Sequence, residues 1–263
     1  FTYSGANNTP NPKIYDLKKL DNKYITFSDP ELRFNSFYIT KIVDRNIINS
    51  DLALKKEIVD ELLFNIINTR LSNITKEKSS PFLQAFIGKY SITKTKDFID
   101  IITIIKNNKL TEGISLINKF LKSTAKNGIT QEELILEKDN IFNSLKSIVA
   151  NKDSIEHNNY AEDLVEYIMY GESFIEPEKE LELYGKLLKT ISVNDLNKRI
   201  KQIYNENSLY FLTTSTEQAT INDNKLKDII NDAKTSDISE DFSITPVTLD
   251  PINITHGTIT SSE

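Results

Sequence analysis

Any catalysis by this chain would have to run through very few side chains. His157 and His256 are the only imidazoles, and cysteine is absent, which removes disulfides, thiolate metal sites and a cysteine nucleophile together. His157 stands in Ile155-Glu156-His157-Asn158-Asn159-Tyr160-Ala161-Glu162, between two carboxylates, an arrangement that could begin a metal site. Catalytic zinc, however, needs three converging protein ligands, usually with two His three or four residues apart on one helix face. The other histidine is far along the chain, between Thr255 and Gly257. His157 therefore reads as a solvated residue at a helix start, and His256 as plain linker.

The remaining candidates have simpler explanations. Glu176, Glu178, Glu180 and Glu182 crowd the start of a helix, where the macrodipole favours negative charge. No G-x-S-x-G elbow offers a serine nucleophile, and no His is placed to serve as its base. The seven glycines never form a G-x-G, so a glycine-rich phosphate loop cannot be built. Asn-x-Thr occurs at Asn7, Asn73 and Asn253, but Asn73 falls inside a long helix, and the three carry no weight. Taken alone, the residues specify no catalytic residue, no metal site and no cofactor, and they leave substrate-contacting residues unknown.

Composition narrows the class. Thirty-two basic residues against 38 acidic ones give a net charge of -6, without the basic excess that nucleic-acid binding draws on. No stretch approaches the roughly 18 apolar residues of a membrane span. The 263 residues suffice for one large domain or two small ones with a real core. The chain opens on Phe and no leader-like segment follows, so it reads as a piece of a longer protein.

The elements follow from periodicity. Tyr24, Ile25 and Phe27 form a short β-prone run, Asp29-Pro30 supplies a turn, and Phe34 to Val43 suits a strand covered on one face. Leu54, Ile58, Leu62, Ile66, Leu71 and Ile74 then recur at helical steps, predicting a helix over about 51–75 capped by Ser50. Its face bearing Ile58, Leu62, Ile66 and Leu71 should lie on the sheet, with Lys55 and Asp60 in solvent. Residues 82–94 and 97–105 read as an antiparallel pair of strands. Further on, Asn127-Gly128 ends a helix in a left-handed cap, and Thr130 with Glu133 makes a capping box. Glu176-Pro177 and Ser192 start later helices, 208–215 is a last strand, and 220–235 is one more amphipathic helix. The order β-β-α-β-β-α-α-α-α-α-β predicts an α+β fold, a mostly antiparallel sheet with helices packed on one face.

Several phrases resemble the pitrilysin/insulinase family of zinc peptidases, which includes the mitochondrial processing peptidases. They are Ser28-Asp29-Pro30-Glu31-Leu32, Leu62 to Leu71 on the long helix, Asn127-Gly128-Ile129-Thr130-Gln131-Glu132-Glu133-Leu134, and Ile191-Ser192-Val193-Asn194-Asp195-Leu196. The resemblance covers about 23–215. It divides the chain into a linker from an upstream domain at 1–22, a non-catalytic domain at 23–215, and a helix and linker towards the next domain at 216–263.

Members of that family close homologous α+β domains around a chamber that admits unfolded peptides. One domain alone carries H-x-x-E-H, in which two His and a distant Glu hold zinc. This chain has no such motif, so the resemblance implies a non-catalytic, chamber-forming domain of a large bacterial zinc metalloendopeptidase. No zinc is expected in the chain itself, but zinc is expected in the catalytic domain of the parent. Its partners would be other domains of the same polypeptide and the parent's unfolded peptide substrate, and the family leans towards the periplasm. A binding or assembly protein of the same fold, without a protease partner domain, is the alternative.

Some non-catalytic domains of the family present an Arg and, seven residues on, a Tyr to the substrate. Here those positions fall at Lys76 and at Leu83, next to Phe82, which cannot reproduce a guanidinium fork or a hydroxyl donor. Arg70 reads instead as a helix-end residue paired with a carbonyl or an acid.

Overall fold

A computed structural model describes residues 17, 21–152, 157–237 and 240–245 of the chain. Most of the expected linker at 1–22 and most of the tail after 237 lie outside the described residues. The elements are β1 (Lys23–Ser28), β2 (Asn35–Asp44), α1 (Asp51–Lys76), β3 (Phe82–Ser91), β4 (Lys96–Ile105), α2 (Leu110–Asn127), α3 (Gln131–Ala150), α4 (His157–Tyr170), α5 (Pro177–Leu187), α6 (Val193–Asn205), β5 (Leu209–Thr214) and α7 (Asp223–Thr235). The fold is α+β. Its sheet has the order β1-β5-β2-β4-β3, antiparallel except where β1 runs parallel to β5.

Local chemistry sets the element ends. Asp29 accepts from the Glu31 amide at 2.8 Å and so closes the turn between β1 and β2. Ser50 caps α1 by accepting from the Ala53 amide, and Thr130 and Glu133 form the reciprocal capping box that opens α3. The cap after α2 differs from expectation. Gly128 has φ +84° but ψ -166°, so it is not left-handed helical; the chain leaves the helix extended. A Cβ at that position would lie 2.6 Å from the Asn197 side chain, whose Oδ1 accepts from the Ile129 amide. Only glycine permits both the positive φ and this approach.

α1 has 26 residues, roughly 39 Å at 1.5 Å per residue, enough to cross the sheet. It buries Ile58, Leu62, Ile66, Ile67 and Leu71 on the same side as Phe37, Ile39, Ile87, Ile99 and Ile101 of the strands. The helix also covers an edge. β3 is the last strand, and the backbone of Ile87 is met by the Asn68 amide, which donates to its carbonyl at 3.1 Å and accepts from its amide at 2.8 Å. A side chain thus completes hydrogen bonds that an edge strand would otherwise present to a second chain.

Two buried ion pairs fasten the helices. Arg70, 1% exposed, donates from Nε and Nη2 to both oxygens of Glu133 at 2.7 and 2.6 Å, and to the Gly128 carbonyl at 3.0 Å. It pairs with an acid and a carbonyl, and points into the helical layer. Glu133 also accepts from the amides of Thr130 and Ile244. Burial alone would raise its pKa, but these donors hold it below the ordinary carboxylate value. Asp60 corrects the expectation of a solvent-facing residue: it is 5% exposed, held by Arg199 at 2.5 and 2.9 Å and by Lys89 at 3.1 Å. Helical periodicity put Asp60 between apolar positions, and only the arrival of β3 and α6 buries it.

The core does not end at β5. α7 buries Leu226, Ile229 and Ile230, and Asp223 at its start accepts from the amide and hydroxyl of Thr26 on β1 at 2.7 and 2.6 Å. Residues 240–245 lie on the same body: Phe242 meets Phe120 edge-on at 5.3 Å, and the Glu240 carbonyl accepts from Ser123.

Urea melts of three variants separate these roles. Leu62→Ala should cost about 2–5 kcal/mol, as for a buried Leu that leaves a cavity. Asp60→Ala should cost about 1–3 kcal/mol because Arg199 loses both its hydrogen bonds to Asp60, whereas Lys89 keeps Glu57 at 2.7 Å. Lys56→Ala, on the exposed side of the helix, should stay within about 0.5 kcal/mol.

Candidate functional site

Strand alternation sorts every strand residue to one face or the other. On β4, Asp97, Ile99, Ile101, Thr103 and Ile105 point to the helices and are buried. Phe98, Asp100, Ile102 and Ile104 point the other way. The same division leaves Ser36, Tyr38, Thr40 and Ile42 of β2, Gln84, Phe86, Gly88 and Tyr90 of β3, Leu209, Phe211 and Thr213 of β5, and Ile25 and Phe27 of β1 on the side away from the helices.

That open side is apolar and aromatic. Ile25, Phe211, Tyr38, Ile102 and Phe86 are successive register partners across all five strands. At about 4.8 Å per strand they form a row roughly 19 Å long. Tyr38 and Phe211 have ring centroids 6.0 Å apart, and Tyr90 meets Phe98 edge-on at 5.9 Å. Phe27 is 51% and Tyr90 46% exposed. Contiguous exposed apolar surface of this kind marks an interaction face.

One carboxylate interrupts it. Asp100 stands between Thr40 and Gly88 in the register and is 4% exposed. The Tyr90 hydroxyl donates to its Oδ2, while Oδ1 is buried without a hydrogen-bond partner among the described residues. Partial burial, then the carboxylate it donates to, push the Tyr90 hydroxyl up to about 12, so it keeps its proton at neutral pH.

On the helical side, charge gathers at two places. An open cleft of about 650 Å³ lies between the end of β2, the start of α1 and α6, and is lined by Lys55, Lys56, Asp60, Asp195, Lys198 and Arg199 among others. Deeper in, Lys41 on β2 donates to the carbonyl of Glu206 at 2.8 Å, to Ser208 Oγ at 2.9 Å and to the carbonyl of Tyr204 at 3.4 Å. Burial, and then the neighbouring Lys234 cation, lower its pKa to about 7 against the weaker pull of Glu206.

The residues singled out in the sequence do not converge. His157 is the first residue of α4, its side chain outside the described part, and Glu156 and His256 lie outside the described residues. Glu178 and Glu180 stand in the first turn of α5, Glu178 bridged to Lys152 and Glu182 to Lys179. Lys76 is exposed at the end of α1. Leu83 is the extra residue of a β-bulge in β3, half exposed, and Phe82 beside it is buried. Among the described residues no group of three or more His, Asp or Glu side chains is placed to hold a metal ion. No described helix is long and apolar enough to cross a membrane.

The open face is what sequence reasoning missed. Its signal was the run Asp97-Phe98-Ile99-Asp100-Ile101-Ile102-Thr103-Ile104-Ile105, apolar at odd and even positions alike, which asks for two covered faces.

No protein-family model matches the sequence, and it has no match among curated proteins. Solved structures match strongly. The first half of the periplasmic protease PqqL from Escherichia coli superposes with TM-score 0.79 and 14% identity over 86% of this chain and 50% of its own; intact PqqL gives 0.81 and 14% over 91% and 28%. A predicted insulinase family protease from Yersinia pestis gives 0.77 and 14% over 88% and 50%. An inactive peptidase M16 domain from Pseudomonas fluorescens gives 0.51 and 16% over 75% and 44%. The resemblance read from the sequence thus holds in the fold: insulinase-like peptidases, an inactive domain included, are among the structural neighbours, as is Complex III2 from Candida albicans with TM-score 0.52 and 15% identity. The chain spans about half the length of the PqqL half and of the Yersinia protease chain, and 28% of intact PqqL.

Lys41 gives a test of the interior. Its folded pKa lies below that of an unfolded lysine, so between pH 7 and about 10 the unfolded chain holds more protons and stability rises with pH. Denaturation free energy should climb about 1–3 kcal/mol from pH 7 to 9.5 and be flatter in Lys41→Met. Above that range the tyrosines held above their ordinary values, Tyr24, Tyr90, Tyr184 and Tyr204, act in the opposite sense. An unchanged slope in Lys41→Met would assign the titration elsewhere.

Proposed function

We propose that this chain is a non-catalytic, chamber-forming domain of a larger bacterial zinc metalloendopeptidase that degrades unfolded peptides. One observation carries the reading: the sheet has an aromatic face that no described helix covers, in a fold shared with insulinase-like proteases. An unfolded peptide offers apolar side chains without a fixed shape. A broad face of Phe, Tyr and Ile can meet many such sequences through burial, without a matching hydrogen-bond pattern. The chain's own part is then to bind and to exclude water, while zinc, held by H-x-x-E-H in another domain of the parent, supplies the hydrolytic chemistry. Neither a nucleophile nor a base is required of the residues described above.

The location named for PqqL supports an extracytoplasmic parent, in the periplasm. The other domains of the parent polypeptide are the partners this reading requires. A binding protein of the same fold would also use the open face. It differs in having no H-x-x-E-H domain in the same polypeptide.

The full-length parent decides between them. Its sequence should contain H-x-x-E-H in a separate domain, and its cleavage of unfolded peptides should stop with a zinc chelator. The 263-residue chain alone should not cleave. In the parent, Phe86→Ser should raise KM about five- to tenfold with a smaller change in kcat, the loss of ~1–1.4 kcal/mol of apolar contact. A parent polypeptide without H-x-x-E-H would sink this reading, as would cleavage indifferent to chelation.

A further inference from the structure

We infer that the open sheet face carries a subsite for a cationic side chain, arginine or lysine, of an extended peptide, centred on Asp100 and walled by Phe86 and Tyr90. The inference deepens the reading of this face as peptide-facing and rests on it.

The charge pattern comes first. Asp100 is the sole carboxylate among the outward residues of the three inner strands apart from Asp44 at the rim, and Asp44 is bridged to Lys96 at 2.6 Å. In its own register row the residues run Lys23, Leu209, Thr40, Asp100, Gly88. Lys23 is therefore three strands away, roughly 14 Å at the usual spacing, and among the described residues no cation of this face neutralises the carboxylate. Its Oδ2 has the Tyr90 hydroxyl; its Oδ1, although buried, has no partner among the described residues. A buried acceptor left in that state is costly and calls for a donor.

The shape agrees. Gly88 is the direct register partner of Asp100 on the edge strand, and a Cβ built there would meet no atom within 4 Å. The glycine leaves a gap in the side-chain layer beside the carboxylate, flanked along β3 by Phe86 and Tyr90, 41% and 46% exposed. Tyr90 is the only one of these groups bonded to Asp100, and it sits on an edge strand, so a turn of its side chain admits a donor to the carboxylate. Aromatic walls attract a cation through their ring faces, and the carboxylate supplies charge-assisted hydrogen bonds. A neutral apolar side chain could fill the gap but would leave Oδ1 without a donor, and an acidic one would be repelled.

The test uses the 263-residue chain and two labelled unfolded peptides of identical Gly, Ser and Leu sequence. One has a single central arginine, the other citrulline, which keeps the shape but not the charge. Binding is read by fluorescence anisotropy. The arginine peptide should bind about tenfold tighter, the usual worth of a charge-assisted hydrogen bond. In Asp100→Asn the ratio should fall below about twofold. Gly88→Val puts a β-branched residue where space exists, so it should melt as the parent does, yet lose the arginine preference by filling the gap. It keeps the test decisive if Asp100→Asn folds poorly. Equal affinities for the two peptides, a preference that survives in Asp100→Asn, or no binding of either peptide would each overturn the inference. Equal affinities would leave the chamber-wall reading in place, whereas a parent without H-x-x-E-H would remove that reading and leave a measured arginine preference standing.

Discussion

A sheet has two faces, and here the described helices that pack on it take the same one. The packing of α1, α2 and α7 settles which residues are core, and by strand alternation it settles what the other face must display. Ile101 and Tyr210 can be buried only if Ile102 and Phe211, one position on, are turned outward. The aromatic face is thus built by the same register that builds the core. It cannot be slipped by one residue without exposing the interior.

Fastening the helical layer so firmly has a functional sense. Arg70 and Glu133 join α1 to the turn after α2, to the start of α3 and to residue 244, while Asp60 joins α1 to β3 and α6. Arg70 and Glu133 are buried on both sides of their pair, while Asp60 is buried between the partly exposed Lys89 and Arg199. Asn68 closes the edge of β3 from the helical side. A sheet so braced offers its free face as a rigid surface, and a rigid surface loses little entropy when a flexible chain settles on it.

Much of this was legible in the residues. Ser50, Thr130 with Glu133, and Glu176-Pro177 fix helix starts by local chemistry, and the structure has each of them. The α+β order and the burial of Ile58, Leu62, Ile66 and Leu71 follow from period alone. Two things did not. Asp60 looked like a solvent-facing acid because its partners, Lys89 and Arg199, come from elsewhere in the chain, and no period reports such a meeting. Gly128 carried the right signal, a glycine after a helix, but its extended ψ answers to Asn197, nearly 70 residues on. The open face lies between these cases: β4 is apolar on both sides in plain view, yet only the one-sided helix packing turns that into surface.

The central claim is that the uncovered sheet face is where an unfolded peptide lies. Titrating an isotope-labelled sample of the chain with such a peptide, and following the side-chain resonances by NMR, tests it most directly. The account predicts shifts concentrated on Ile25, Phe211, Tyr38, Ile102 and Phe86, the row that crosses all five strands, with Ile58, Leu62 and the other contacts of α1 unmoved. Shifts confined to the cleft between α1 and α6, or to Leu164, Val165 and Ile168, which α4 exposes, would contradict it.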